Sequence, residues 1–230
     1  MITTALLGNP NVGKTSLFNQ LTGSNQYVGN WAGVTVEKKE GFVNDSIKIV
    51  DLPGIYAMDT FSNEEKVSKN FLINGNVDVI IDIVDASNLD RNLYLTTQLK
   101  QFNKPIILVL NMIDVAENKG IKINYDILSK ELNVKVIPII ASKGIGIDKL
   151  IETLETKTFL NYKDDNDYNF ESERDAYKFI SNIIEKAVTL EEKKTISNTD
   201  KIDKIVLNPV LAYPLFLGIL YIIFKFTFNW

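Results

Sequence analysis

The chain has 230 residues, of which 45% are hydrophobic and 23% charged, so it can bury a core and is not disordered throughout. Its net charge of −4 disfavours a nucleic-acid binder, because such proteins usually carry a basic face. It contains no cysteine and no histidine, which excludes disulfides and thiol chemistry and removes the commonest metal ligand and general base.

Apolar runs alternate with helical stretches over residues 1–158. The predicted strands are residues 3–8, 36–43, 47–51, 77–85, 105–111 and 134–140. The later strands are continuous Val/Ile/Leu runs, which is typical of strands buried on both faces. The alternation predicts an α/β fold with a mostly parallel six-stranded sheet flanked by helices, in which the second strand is antiparallel at an edge. Ligands of such sheets bind at the carboxyl ends of the strands.

Two further segments follow this sheet domain. Residues 159–204 are predicted to form a small helical spacer, because apolar side chains recur at helical spacing after an acidic linker. Residues 205–230 are apolar, and we predict that they begin a transmembrane helix of a longer membrane protein. Lys201 and Lys204 precede this run and favour a cytosolic N-terminal side. The alternative is a buried C-terminal helix of a soluble domain.

The first motif is GNPNVGKT, Gly8 to Thr15, which matches the phosphate-loop pattern between a strand and a helix. Its glycines would let the backbone wrap round phosphates. Lys14 is predicted to reach the β- and γ-phosphates, and the Thr15 hydroxyl to bind Mg²⁺. An ordinary glycine-rich turn is the alternative. The predicted contacts in this region are Gly8, Asn9, Asn11, Val12, Gly13, Lys14, Thr15 and Ser16.

Three shorter motifs also lie at predicted strand ends. In DLPG, residues 51–54, Asp51 would hold Mg²⁺ through water and the Gly54 amide would sense the γ-phosphate. In NMID, residues 111–114, Asp114 can accept two hydrogen bonds from guanine that adenine does not offer. The backbone amides of ASKG, residues 141–144, can meet the guanine carbonyl. The predicted base contacts are Asn111, Met112, Asp114, Ala141, Ser142 and Lys143, with Asn111 bracing the loop and the Lys143 stem covering the ring.

Each short motif is weak alone, since NMID by itself is more often a strand-end turn, but the four in this order predict a guanine-nucleotide site. The segment GNWAGVTVE, residues 29–37, then becomes the first switch. Thr35 would complete the Mg²⁺ shell when GTP is bound, with Gly33 nearby. The alternative for Thr35 is an ordinary strand residue.

These motifs resemble the N-terminal G domain of the ferrous iron transport protein B family. The resemblance covers residues 1 to about 158, is most specific in GNWAGVTVEKKEG, and continues loosely through the spacer to the first transmembrane helix. It departs at Ala32, where the family more often has proline. It implies a prokaryotic inner-membrane protein for Fe²⁺ uptake, whose G domain hydrolyses GTP on the cytoplasmic side.

Two usual catalytic groups of GTPases are missing from this site. Neither arginine of the chain lies in the phosphate loop or a switch, and Ile55 follows DLPG where many GTPases have glutamine. We predict that K⁺ supplies the missing charge, held by the Asn11 side chain and capped by the carbonyls of Gly29 and Trp31. The resemblance implies the same, because members of the family are potassium-activated. The predicted catalytic residues are Asn11, Lys14, Thr35 and Gly54.

Alternatives remain for the cation site and for the whole chain. Asn11 could instead brace its own loop, and Trp31, predicted to shield the nucleotide, could be an exposed aromatic awaiting a partner. The leading interpretation is a GTPase with Mg²⁺ and K⁺ that couples nucleotide state to Fe²⁺ uptake. Its expected partners are guanine nucleotide and the membrane domain of the same protein, without nucleic acid, and a homo-oligomer is compatible with the sequence. The alternatives are a soluble ribosome- or RNA-associated GTPase and a scaffold that senses GTP and GDP without useful turnover.

Overall fold

A computed structural model describes residues 1–59, 61–162, 168, 170–191 and 209–228 of the chain. Backbone contacts divide the chain into two compact units, residues 1–191 and residues 192–230. The predicted boundaries at 158 and 204 stay predictions, although the helix expected in the spacer lies in the same unit as the sheet.

A seven-stranded sheet forms the centre of the first unit. Its strands are β1 (Ile2–Gly8), β2 (Gln26–Asn30), β3 (Glu37–Asn44), β4 (Ile47–Asp51), β5 (Val79–Asp85), β6 (Ile106–Asn111) and, after the separate strand β7 (Ile121–Ile123), β8 (Lys135–Pro138). The strand order is β2-β3-β4-β1-β5-β6-β8. Strands β4, β1, β5, β6 and β8 are parallel, whereas β3 runs antiparallel to β2 and to β4.

The predicted mostly parallel α/β fold is confirmed, with one strand more than the six expected. The extra strand is β2, which pairs with β3 and forms the edge of the sheet, so the second predicted strand lies one place inside that edge. Its sequence, QYVGN, is neither an apolar run nor an alternating one. Pairing with β3 therefore decides its conformation, since strand preference depends strongly on neighbours.

Among the described residues of this unit, the α-helices are α1 (Lys14–Thr22), α2 (Asn63–Asn74), α3 (Leu89–Leu99), α4 (Ile113–Asn118), α5 (Tyr125–Leu132), α6 (Ile147–Thr156) and α7 (Glu173–Ala187). Buried side chains of α1 and α6 fill the core on one face of the sheet. Those of α2, α3, α5 and α7 fill the core on the other. A capping box begins α2, because the Ser62 hydroxyl accepts from the Glu65 N–H while the Glu65 carboxylate accepts from the Ser62 N–H.

The predicted amphipathic helix of the spacer is α7, and it packs on the sheet domain. Ile180, Ile183 and Ala187 are buried in the core, and the Tyr177 ring stacks on the Tyr94 ring of α3 at 5.1 Å between centroids. Strand β9 (Val188–Leu190) follows α7 at once and pairs antiparallel with β7.

The second unit contains helix α8 (Pro209–Phe228), which has Pro214 inside it. Its side chains are described at 212–214 and 216–227. Over the part of the chain that is described, no helix meets the combined length and apolarity needed to cross a membrane. The predicted membrane segment 205–230 lies partly outside the described residues, as do Lys201 and Lys204, and it stays a prediction.

Candidate functional site

The phosphate loop joins the end of β1 to the start of α1. Gly13 has φ +91°, in the left-handed region, and a Cβ atom there would overlap Nδ2 of Asn111. Gly8 lies so close to β5 that a Cβ would overlap a carbonyl oxygen of that strand. Because α1 begins at Lys14, the N–H groups of its first turn have no partner within the helix. The loop therefore forms the kind of helix N-terminus that binds anions.

Asn111 ties this loop to the fourth motif. It is buried at the end of β6, and its Nδ2 donates to the Val12 carbonyl oxygen at 2.8 Å. Its Oδ1 accepts from the Ala141 N–H at 2.9 Å. Asn111 therefore joins the two loops through one side chain, and its predicted contact with a base stays a prediction.

Asp114 and Lys143 form an ion pair beside this brace. Met112 has φ +61°, and this turn begins α4 so that Asp114 lies in its first helical turn. Lys143 Nζ lies 2.7 Å from Asp114 Oδ2, and this hydrogen bond lowers the pKa of the carboxyl. Asp114 is therefore an ionised acceptor at neutral pH. The Lys143 ammonium meets the carboxylate here, and Ser142 next to it is exposed.

Lys14 and Asp51 are in direct contact, although one was predicted to reach phosphates and the other to hold Mg²⁺. Lys14 Nζ donates to Asp51 Oδ1, and both side chains are largely buried. Burial raises the pKa of Asp51, and the Lys14 charge opposes this effect only in part. Gly54 lies just beyond, where an added Cβ would stand at 3.4 Å from the Pro10 Cα. Strand β4 therefore ends with Asp51 next to Lys14 of the phosphate loop.

Asn9 is the second buried asparagine of this region. Neither its Oδ1 nor its Nδ2 has a hydrogen-bond partner in the described part of the chain. An unpartnered buried amide is costly, and a bound ligand is one way to satisfy it. Thr15 and Ser16, in the first turn of α1, are exposed. The loop therefore offers free polar groups, as a phosphate site requires.

Residues 29–37, the predicted first switch, lie at the turn of the β2–β3 hairpin. The Trp31 N–H donates to the Val36 carbonyl at 2.9 Å, and the Trp31 carbonyl accepts from the Val34 N–H at 3.3 Å. Gly29 lies in β2 opposite Lys38 of β3. Gly33 has φ +78° in the turn, and the Thr35 side chain is exposed.

Within the described ranges, no hydrogen bond joins these switch residues to Asn11, Thr15 or Asp51. Asn11 itself is exposed with φ +66°. The Mg²⁺ and K⁺ ligand sets predicted from the sequence stay predictions.

The Trp31 ring has a partner that the sequence did not indicate. It packs edge-on against Phe71 of α2 at 5.3 Å between centroids, and Lys38 Nζ lies 5.0 Å from the ring centroid. The ring is half-buried against the core, so it already has a packing partner, and its predicted shielding of the nucleotide stays a prediction. Since α2 follows the DLPG segment, the contact links residues 29–37 to the helix after that segment.

Helix α3 contacts the segment that follows DLPG at two points that the sequence did not indicate. The Arg91 guanidinium carbon lies 4.5 Å from the centroid of the Tyr56 ring. Gln98 Oε1 accepts from the Met58 N–H at 2.7 Å. The fold therefore places an arginine, which the motifs lack, next to the segment that follows DLPG.

The chain resembles known proteins over the same region. Residues 2–154 match the family model described as ferrous iron transport protein B. The Fe(2+) transporter FeoB of Escherichia coli strain K12 is 50% identical over 156 residues, which are 65% of this chain and 20% of that protein. The Fe(2+) transporter FeoB of Salmonella typhimurium strain LT2 is 48% identical over 156 residues, with the same shares of 65% and 20%. The chain thus spans about a fifth of the length of these relatives.

Solved structures agree with this similarity. A point mutant of S. thermophilus NFeoB bound to GDP has a TM-score of 0.65 and 52% identity, over 66% of this chain and 60% of that one. The cytosolic domain of the T. maritima FeoB transporter in its GMPPNP form has a TM-score of 0.70 and 30% identity, over 82% and 100% of the two chains. The predicted P-loop GTPase fold is confirmed.

Proposed function

The chain belongs to the ferrous iron transport protein B family, and we propose that it binds and hydrolyses GTP as the cytosolic part of a membrane Fe²⁺ transporter. One observation carries the nucleotide assignment. Asn111 joins the phosphate loop at Val12 to the fourth motif at Ala141, so the groups that would grip phosphate and base are tied into one unit. Solved relatives that contain GDP or GMPPNP support the same ligand.

Guanine is the base that this site suits. The ionised Asp114 carboxylate can accept from the ring N–H and the exocyclic amine of guanine. Adenine would leave that carboxylate unpaired, and a site built to hydrogen-bond one ligand rejects the analogue that lacks the groups. Lys143, now bound to Asp114, can lay its stem across the ring when the carboxylate turns to the base.

The residues proposed for Mg²⁺ fit that ion in kind, because Asp51, Thr15 and Thr35 all offer oxygen. When bound, Mg²⁺ would neutralise charge on the β- and γ-phosphates. When nucleotide binds, the Lys14 ammonium would leave Asp51 and contact the phosphates. The Asp51 carboxylate would then be free to hold Mg²⁺. The Gly54 amide and the Thr35 hydroxyl would then make the positions of DLPG and of residues 29–37 depend on the presence of the γ-phosphate.

The residues proposed for K⁺ also offer oxygen ligands. Asn11 supplies an exposed side-chain amide. Trp31 would supply its carbonyl once the Val34–Trp31 turn hydrogen bond opens, and Gly29 would supply its carbonyl once it separates from Lys38 of β3. When bound, K⁺ would supply the positive charge that an arginine supplies elsewhere. Arg91 does not serve here, because its guanidinium stacks on Tyr56. No side-chain base stands after DLPG, where Ile55 is buried, so intrinsic turnover is expected to be slow.

The cation assignment is tested by GTP hydrolysis in K⁺ and in Na⁺ at equal ionic strength. We expect K⁺ to be the faster, and Asn11→Ala to bring the ratio of the two rates towards one. Asn103→Ala is a matched control, because Asn103 is also an exposed asparagine with positive φ, +52°, but lies outside the motifs. An unchanged K⁺/Na⁺ ratio in Asn11→Ala would remove Asn11 from the site.

The link to iron uptake is the second part of the proposal. It rests on the family and on relatives that are Fe(2+) transporters, of which this chain covers a fifth. The membrane domain of the full-length protein is the expected partner, with the G domain on the cytoplasmic side of the inner membrane. A soluble ribosome- or RNA-associated GTPase is disfavoured by the family match. A scaffold without turnover would show no phosphate release in a single-turnover assay in K⁺, whereas the proposed enzyme releases it.

A further inference from the structure

We propose that the outer edge of β2 is a self-association surface, at which two copies of this chain pair their β2 strands antiparallel about a two-fold axis at Val28. The strand is the end of the sheet, and its other side carries no strand among the described residues. Its Tyr27 and Val28 side chains are 67% and 63% exposed. Edge strands of natural sheets are usually protected from pairing with another chain by charged residues, proline or a covering element. The β2 sequence QYVGN has neither a charged residue nor proline.

The hydrogen bonds that flank β2 show which backbone groups face outward. The Phe42 N–H donates to the Asn25 carbonyl, and the Trp31 N–H donates to the Val36 carbonyl. Bonded residues alternate along an antiparallel strand, so Tyr27 and Gly29 face β3 in the register given by Gly29 opposite Lys38. Val28, with its neighbours two residues away, therefore presents its N–H and C=O to the open edge.

The strand is complementary to itself in this register. Two Val28 residues would exchange both of their backbone hydrogen bonds across the axis. On either side, each Asn30 N–H would donate to a Gln26 carbonyl of the other copy. The Gln26 N–H is not needed, and it already donates to the Ser24 carbonyl at 3.0 Å. The two copies would thus form four new backbone hydrogen bonds. Among the outward N–H and C=O groups of Gln26, Val28 and Asn30, only the Asn30 carbonyl would lack a hydrogen-bond partner.

The side chains suit the same register. Tyr27 would lie opposite Gly29 of the second copy, a pair in which an aromatic ring covers the bare glycine backbone of an edge. The two Val28 side chains would meet on the other face of the joined sheet. No like charges oppose each other across the axis, because β2 is uncharged. A two-fold axis makes the contact closed, so it yields a dimer rather than a fibre.

The chain has no cysteine, which allows a direct test with single-cysteine variants of the full chain. Two Val28→Cys residues on the axis would have Cα atoms about 5.5 Å apart, within disulfide range. Asn30→Cys is the matched control on the same exposed strand. In the proposed pairing, its counterpart stands about 13 Å away, too far for a disulfide.

We expect mild oxidation to cross-link Val28→Cys at least about tenfold more than Asn30→Cys on non-reducing gels. Equal cross-linking of both variants, as association through the apolar tail would give, or of neither, overturns the proposal. A second variant covers the case in which Val28→Cys misfolds. Val28→Pro removes an outward N–H and no hydrogen bond to β3, so it should keep the circular dichroism spectrum and abolish the dimer in sedimentation equilibrium. A dimer that survives Val28→Pro also overturns the proposal.

Discussion

Two buried asparagines of the phosphate loop region allow a direct test of the Asn111 brace. Asn111 and Asn9 are equally buried, at 3% exposure each. Asn111 makes two hydrogen bonds to backbone groups, whereas the Asn9 side chain makes none among the described residues. Replacing each by alanine therefore removes the same atoms from equally buried positions but leaves different groups unpaired.

The two variants are expected to differ in the free energy of unfolding. Asn111→Ala leaves the Val12 carbonyl and the Ala141 N–H buried without a partner, at about 2 kcal/mol each, so the free energy of unfolding should fall by about 4 kcal/mol. That corresponds to a melting temperature lower by about 8–16 °C for a domain of this size. Asn9→Ala removes a polar group that is already unpaired, so it should change the melting temperature little or raise it.

The assay is thermal unfolding of the full chain without nucleotide, followed by far-ultraviolet circular dichroism. The same two variants are then compared with the unmodified chain in one buffer. An equal loss of stability in Asn9→Ala and Asn111→Ala would refute the reasoning, because the hydrogen bonds would then contribute nothing beyond the loss of side-chain volume.

Three further changes have definite expected outcomes. Gly13→Ala should abolish nucleotide binding and lower the melting temperature, because its Cβ would overlap Asn111 Nδ2 at φ +91°; unaltered binding in a calorimetric titration would contradict the close approach. Asp82, fully buried and bonded to the Thr96 hydroxyl at 2.6 Å, has a pKa raised by burial to about 7. The fold therefore prefers the neutral acid, so this stabilisation is complete below the unfolded pKa near 3.8 and is lost as the pH rises through about 7. Asp82→Asn cannot ionise. Urea titrations should therefore show that its free energy of unfolding, relative to that of the unmodified chain, rises by about 2–3 kcal/mol between pH 5 and pH 8. A difference that does not change with pH would mean that the pKa of Asp82 lies elsewhere. Phe71→Ala should shift Trp31 emission to the red, measured in a chain whose second tryptophan is replaced by phenylalanine, since it removes the ring that half-buries Trp31; an unmoved spectrum would show that the contact is not populated.

Elements with strong local patterns were predictable from the sequence. The continuous apolar runs of β5 and β6 are buried on both faces, as expected of central parallel strands. The phosphate loop was predictable because its glycines meet a steric demand that no other residue meets, as at Gly13. The nearness of Asn111 to the phosphate loop was expected from its place at a strand end.

Features that depend on distant partners were not predictable. The Trp31 ring packs on Phe71, which lies 40 positions further along the chain, and no local pattern joins them. Strand β2 exists because β3 offers it a partner, not because its own residues prefer a strand. The Lys14–Asp51 pair was also unforeseen, since each group was assigned to a ligand rather than to the other.

The guanine assignment is tested most directly by titrating GDP and ADP into the purified chain with Mg²⁺ and following the heat of binding. The Asp114 carboxylate and the Asn111 brace predict that GDP binds and that ADP binds at least about a thousandfold more weakly. Equal affinity for GDP and ADP, or no binding of either, would contradict the account.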